Sequence, residues 1–210
     1  RNGSRFSFFM DERFKVKFMK LNISELKEKF GKNIIFKENL SKYSWFNLGG
    51  PAELFFKPEN TNQLIEFLKH VREKRLKITI LGAGSNTLIS DKKFDGVVIK
   101  LANNFNNISL LNQEIIIAGS AVSDKLLSEF AMENGLGGFE FLSCIPGTIG
   151  GGIKMNAGCF KREFKDILIS VQTINKLGQV NTIPAKKINF EYRNSGLSDD
   201  LIFLSASFKG

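Results

Sequence analysis

The sequence predicts an α+β chain built from two small subdomains. Three observations lead there. Apolar periodicity alternates between the helical 3.6 and the strand value of 2, and an early strand-helix-strand unit gives way to several strands before a second helix appears. The 210 residues are 42% hydrophobic and 24% charged with only 4 prolines, which suits a folded core and excludes a disordered or fibrous chain. A chain of this length buries about 70% of the surface its unfolded form exposes, so it needs neither disulfides nor structural zinc. The division falls between Leu101 and Asn107, giving residues 19–101 and 102–210.

Along the chain, residues Arg1 to Phe18 mix Ser, Arg, Lys and Phe without a clean period, and Met19 is a candidate natural start that leaves 1–18 as a tail or non-native extension. Ser24 is placed as the cap of a short helix that turns Leu26 and Phe30 to one side. Ile34 to Phe36 and Ala52 to Phe56 read as strands, and Thr61 to Arg75 as a helix with Leu64, Phe67, Leu68 and Val71 on its apolar stripe. Strands follow at Lys77 to Leu81, Gly96 to Leu101 and Gln113 to Ala118. Ser123 to Asn134 is a second amphipathic helix with Leu126, Leu127, Phe130 and Ala131 inward, and Ile167 to Ile174 and Leu201 to Phe208 alternate as half-buried strands do.

The net charge of +9 raises the question of nucleic acid. Its distribution answers against it: Arg occurs only at 1, 5, 13, 72, 75, 162 and 193, and Lys is spread evenly, with no basic stripe interleaved with aromatics. The excess of Phe, 21 against 2 Tyr and 1 Trp, together with abundant Lys, Asn and Ile, matches AT-rich codon usage. A basic surface still steers acidic small molecules. Neither a secretory signal nor a membrane span is legible, so a cytoplasmic setting without membrane contact is expected. Cys144 and Cys159 have no metal-ligand spacing and are expected as small buried fillers; His70 is expected on the polar face of its helix. No metal site is expected.

Two glycine clusters carry the chemistry. Gly82-Ala83-Gly84-Ser85-Asn86 directly follows a strand, where glycines let backbone N–H groups approach an anion and short side chains add donors, a plausible pyrophosphate cradle. An ordinary strand-end turn has the same appearance, and the third glycine of a dinucleotide-binding fingerprint is missing. The second cluster holds eight of the chain's 19 glycines between 135 and 159, with Ile145, Pro146, Ile149, Ile153 and Met155 among them. So many apolar anchors argue against a mobile loop and for close backbone approach to a flat or phosphorylated ligand. Near the end, Arg193 is the sole Arg of the last 48 residues; a guanidinium suits a carboxylate or a developing enolate, and a solvated or salt-bridged Arg looks alike in sequence. Glu140 is given a turn or a Lys as partner.

Taken together, Ser44-Trp45-Phe46-Asn47-Leu48-Gly49-Gly50-Pro51-Ala52, Leu81 to Asn86, Gly135-Leu136 with Gly138, Glu140 and Phe141, Ile145 to Gly151, Met155-Asn156-Ala157-Gly158 and Tyr192-Arg193 with Ser195 resemble the UDP-N-acetylenolpyruvoylglucosamine reductase family of peptidoglycan precursor synthesis. The resemblance runs from about Asn39 to Gly210. It implies a two-subdomain FAD-binding fold of the p-cresol methylhydroxylase and vanillyl-alcohol oxidase type. Noncovalent FAD would then contact Gly82, Ala83, Gly84, Ser85 and Asn86 through its pyrophosphate, and Pro146, Gly147, Thr148, Gly150, Gly151, Asn156, Ala157 and Gly158 through its ring side.

The same resemblance implies NADPH as hydride donor and UDP-N-acetylglucosamine enolpyruvate as substrate. Arg193 would be the catalytic cation and Tyr192 its substrate-binding neighbour, in a monomer. The family continues into a third, substrate-binding domain that supplies a proton-donor Ser or Cys and a Glu; neither motif occurs here. The expectation is a C-terminally truncated copy that binds FAD without completing turnover. Alternatives are another FAD-linked oxidoreductase of the same superfamily and a noncatalytic flavin-binding fragment.

Overall fold

The computed structural model describes residues 23–72 and 76–210; Met19 and the 1–18 segment lie outside the described residues. Helix α1 (Ile23–Phe30) buries Leu26 and Phe30. Ser24 lies inside its first turn, not ahead of it as a cap. Strand β1 (Ile34–Asn39) runs past the expected end at Phe36 and pairs antiparallel with β2 (Pro51–Phe56). Asn60 caps α2 (Thr61–Val71) by accepting from the Gln63 N–H at 2.9 Å, and the stripe of Leu64, Phe67, Leu68 and Val71 is buried as its spacing requires.

Strands β3 (Ile78–Ile80) and β4 (Phe94–Ile99) complete the first sheet in the order β1-β2-β4-β3. Both β2 and β3 run parallel to β4, with Phe56 and Ile80 each in register with Ile99. The carboxyl ends of three parallel strands therefore meet at one edge. One face of this sheet covers a core of Leu26, Phe30, Leu54, Phe56, Leu64, Phe67, Val97 and Ile99. The other face carries a smaller cluster of Leu40, Ala52, Phe55, Leu81 and Val98, which seats the loops of the candidate site.

The second sheet begins with β5 (Ile108–Leu111) and β6 (Ile115–Gly119). Next come α3 (Asp124–Glu133), α4 (Ile149–Lys154) and a short hairpin of β7 (Gly158–Cys159) with β8 (Arg162–Glu163). The last strands are β9 (Leu168–Ile174), β10 (Val180–Pro184) and β11 (Ile202–Phe208), and the antiparallel order is β10-β9-β11-β6-β5. Sequence reading missed β5 and β10, the two edge strands. An edge strand is half-solvated and shows little alternation; four of the five β10 residues are polar, Pro or exposed Val.

Helix α3 corrects one expectation. Its buried face is Asp124, Leu127, Ser128 and Ala131, so Leu126, one residue and about 100° away from Leu127, is 43% exposed. Helix α4, Ile-Gly-Gly-Gly-Ile-Lys, shows no helical apolar period in sequence, only its glycine density. Its Gly152 admits no side chain, because a Cβ there would lie 2.3 Å from the Phe164 ring. That close approach packs α4 onto a core of Phe139, Phe141, Ile149, Ile153, Phe164, Val171 and Phe208.

Ile174, Ile202 and Leu204 of the second sheet are buried in the first core, so the two sheets are locked by shared side chains. Two further corrections concern lone residues. Cys144 ends a turn of 3-10 helix at the surface and is exposed, and Cys159 is half-buried; the neighbouring Cys159 thiol, by hydrogen bonding, raises the Cys144 pKa. His70 is wedged between α1 and α2, its ring 6.4 Å edge-on from Phe30 and Nδ1 3.6 Å from Glu25 Oε1. Among the described residues no helix is long and apolar enough to cross a membrane.

The first core depends on a triple of rings: Phe67 stacks on Phe56 at 4.0 Å between centroids and meets Phe30 edge-on at 5.5 Å. Phe67→Ala is expected to lower stability by about 3–5 kcal/mol in urea unfolding, the cost of a lost ring plus its cavity. A loss below about 1 kcal/mol would show that α2 is not anchored there.

Candidate functional site

The loop after β3 starts from a fixed point. Leu81 is buried and its N–H donates to Ile99 O at 2.9 Å. Gly84 then turns with φ +73°, and a Cβ on it would lie 1.8 Å from Tyr43 O, so only glycine fits. The segment around Trp45 wraps this turn: Trp45 N–H donates to Gly84 O at 3.1 Å, Gly50 N–H to Ser90 O at 2.8 Å and Gly49 N–H to Asp91 Oδ1 at 3.2 Å. Buried Ser44 adds a bond from its hydroxyl to Thr87 O at 3.4 Å.

Across from it stands the loop leading into α4. The Ser85 hydroxyl donates to Pro146 O, and a Cβ on Gly82 would lie 2.9 Å from Thr148 Oγ1. The structure thus brings together Gly82, Ala83, Gly84, Ser85 and Asn86 with Pro146, Gly147 and Thr148. Among the described residues, no backbone N–H of 82–86, and neither that of Gly147 nor that of Thr148, donates to a protein acceptor. Buried backbone N–H groups are nearly always paired; here Gly84 is buried, Gly82, Ala83, Ser85, Gly147 and Thr148 are half-buried and Asn86 is exposed, so the free amides face an accessible cleft. A group rich in acceptor oxygens is what such a cradle lacks.

The remaining residues of the second cluster are committed elsewhere. Gly150 N–H donates to Ser120 O at 2.9 Å, and Gly151 lies in the first turns of α4. Asn156, fully buried with φ +42°, donates through Nδ2 to Glu163 Oε2 at 2.9 Å and Glu191 O at 3.0 Å, and accepts from Lys165 N–H at 3.1 Å. Ala157 uses both backbone groups, donating to Gly152 O and accepting from Phe164 N–H.

Arg193, itself at φ +57°, donates to Gly158 O at 2.9 Å and to Asn156 O at 3.4 Å, and its Nη1 lies 3.6 Å from Glu163 Oε1. Its guanidinium also stacks over the Tyr192 ring at 4.8 Å. The salt-bridged reading of this Arg is realised, and the structure adds that it sits beside the second glycine cluster. A hydrogen bond from Lys165, then Asn156 and the Arg193 charge, hold the Glu163 carboxyl below its usual range. Arg193, Tyr192, Gly158, Cys159 and Glu163 line an open cavity of about 490 Å³, in which Tyr192 is 81% exposed. Glu140 holds a turn, accepting from Gly138 N–H at 3.0 Å.

Sequence reading missed three groups. Lys100, half-buried, donates from Nζ to Gly82 O. Asp124 and Ser120 are buried beneath the 147–150 segment, and neither the Asp124 carboxylate oxygens nor Ser120 Oγ has a partner among the described residues. Burial pushes the Asp124 pKa up to about 7. A Lys ending an apolar strand and an Asp opening a helix after Ser are ordinary sequence features, so no pattern flagged them.

A family model described as an FAD binding domain matches residues 52–183. The chain belongs to this FAD-binding domain family. The UDP-N-acetylenolpyruvoylglucosamine reductase of Pelagibacter ubique is 62% identical over 188 residues, covering 90% of this chain and 62% of the relative. That of Rickettsia bellii is 46% identical over 171 residues, covering 81% and 56%. Among solved structures, the UDP-N-acetylenolpyruvylglucosamine reductase of Thermus caldophilus superposes with a TM-score of 0.70 at 29% identity, covering 84% of this chain and 60% of that one. p-Cresol methylhydroxylase superposes at 0.65 and 14% identity, covering 93% and 43%, which shows the shared fold. The chain spans less than two thirds of each of these proteins. The expected α+β fold of p-cresol methylhydroxylase type is the observed one, and the acceptor-poor cradle of this FAD-binding domain fits the diphosphate of a flavin dinucleotide.

Asp124 makes the stability of this domain pH-dependent. An unfolded Asp titrates near 3.8, whereas Asp124 keeps its proton up to about 7. Between these values the native chain binds more protons than the unfolded one, so the contribution is complete below about pH 4 and is lost as pH rises through about 7. The loss amounts to about 4 kcal/mol at 1.36 kcal/mol per pKa unit. Asp124→Asn is expected to be more stable than the wild type at pH 8 and similar at low pH. Parallel stability profiles of the two proteins in urea unfolding would contradict this.

Proposed function

We propose that the chain is the FAD-binding part of an NADPH-dependent reductase that converts UDP-N-acetylglucosamine enolpyruvate to UDP-N-acetylmuramate. The observation that carries the reading is the pair of facing loops with unpartnered amides, in a chain 62% identical to a reductase named for this substrate. In it, Gly82, Ala83, Gly84, Ser85 and Asn86 with Gly147 and Thr148 receive the diphosphate of FAD, and the stretch from Gly150 to Gly158 borders the flavin ring. FAD, when bound, supplies hydride chemistry with NADPH as the source. His70, wedged against Phe30 between α1 and α2, suits noncovalent attachment.

The protein's part is placement and charge. Arg193 is held by Asn156 O, Gly158 O and Glu163, so its guanidinium is oriented without needing substrate to order it. Facing the cavity, it stabilises negative charge conjugated to the substrate carboxylate. Tyr192, stacked on it and exposed, offers a ring and hydroxyl to the incoming substrate. Asn156 is a positioning residue in this scheme, since its own hydrogen bonds join the hairpin to the 191–193 segment.

The chain covers 62% of the Pelagibacter reductase, and FAD binding is the part of this reading assigned to the 210 residues themselves. Titration of the apo chain with FAD is expected to quench flavin fluorescence at one equivalent, and Gly84→Ala to weaken binding at least tenfold by displacing the turn from Tyr43 O. Absence of FAD binding would overturn this reading. Anaerobic NADPH addition separates an oxidoreductase, whose flavin bleaches, from a noncatalytic flavin-binding module.

A further inference from the structure

Because β2, β4 and β3 are parallel and in register at Phe56, Ile99 and Ile80, the residues leaving their carboxyl ends are neighbours. These are Lys57, Lys100 and the Leu81-Gly82 step that opens the amide cradle. Two lysines thus sit together beneath the loop. The Lys57 ammonium lies over the Tyr43 ring at 5.0 Å and the Phe55 ring at 5.5 Å, and Lys100 is half-buried with its Nζ donating to Gly82 O. Among the described residues no carboxylate pairs with either lysine. Burial first, and the Lys57 charge second, hold the Lys100 pKa below its ordinary value.

A half-buried ammonium without a counter-charge is destabilising unless something anionic comes near. The amides above it lack acceptors as well. One ligand chemistry answers both deficits, a polyanion with several acceptor oxygens. We infer that Lys100 is a positioning residue for the diphosphate of the bound dinucleotide, fixing the Gly82-Ala83 peptide and placing positive charge beneath it. The inference rests on the cofactor reading above. In a trans peptide the C=O and N–H point to opposite sides, so holding Gly82 O at Lys100 turns the Ala83 N–H away from the strand edge, toward the open side of the loop. Lys57 reinforces the charge without contacting the loop carbonyl.

The test compares Lys100→Met and Lys100→Arg with the wild type on the 210-residue chain, reading FAD affinity, its salt dependence and the melting temperature of the apo protein. For Lys100→Met the FAD dissociation constant is expected to rise at least tenfold and to vary less with NaCl, with an apo melting temperature equal to or above that of the wild type. Lys100→Arg is expected to retain affinity within about threefold, since it keeps charge and donors. Wild-type affinity in Lys100→Met overturns the inference, and so does a weakened affinity accompanied by a fall in apo melting temperature, which a merely structural lysine produces. Failure of the wild type to bind FAD overturns the cofactor reading itself.

Discussion

Backbone amides need acceptors, and two facing loops of this structure present several that no protein group satisfies among the described residues. Residues 82–86 and 147–148 belong to loops whose bases are tightly held: Leu81 by Ile99 O, Gly84 by the Trp45 N–H, Ile149 by Val122 O. Anchored in this way, the loops hold their amides unpaired by the protein. The unmet demand is therefore a property of the scaffold, and it is what makes a diphosphate the fitting occupant.

The two loops come from different sheets, so their spacing depends on how those sheets are joined. Ile174, Ile202 and Leu204 reach from the second sheet into the first core, and the Ser85 hydroxyl reaches Pro146 O between the loops. Side chains at interior packing density leave little freedom for one sheet to slide on the other. The cradle is consequently preorganised, and binding need not supply the free energy to build it.

A second fixed point lies at Asn156. Its buried side chain ties α4's exit to the β7–β8 hairpin and to the segment bearing Tyr192 and Arg193. Arg193 in turn caps the carbonyls of Asn156 and Gly158, closing a small network of mutually supporting bonds. Such a network holds a guanidinium at the wall of an open cavity, with Glu163 on the same wall balancing part of its charge. The two readings of Arg193 are compatible, since the bonds that pair it also order the guanidinium that the proposed function uses.

Local pattern alone determined a good deal here. Stripes and alternation located α2, β2, β9 and β11, because apolar spacing reports the burial of a face directly, and the density of glycine marked both loops, because only glycine tolerates the backbone approach that Gly84 makes to Tyr43 O. The edge strands β5 and β10 escaped, since half-solvated strands have no strong period. Asp124, Lys100 and Ser120 escaped for a different reason. Whether a polar side chain is buried without a partner or without a counter-charge depends on what other elements bring against it, here the 147–150 segment over Asp124 and Lys57 beside Lys100. Charge balance in a folded chain is a sum over neighbours distant in sequence, and only the tertiary structure decides it.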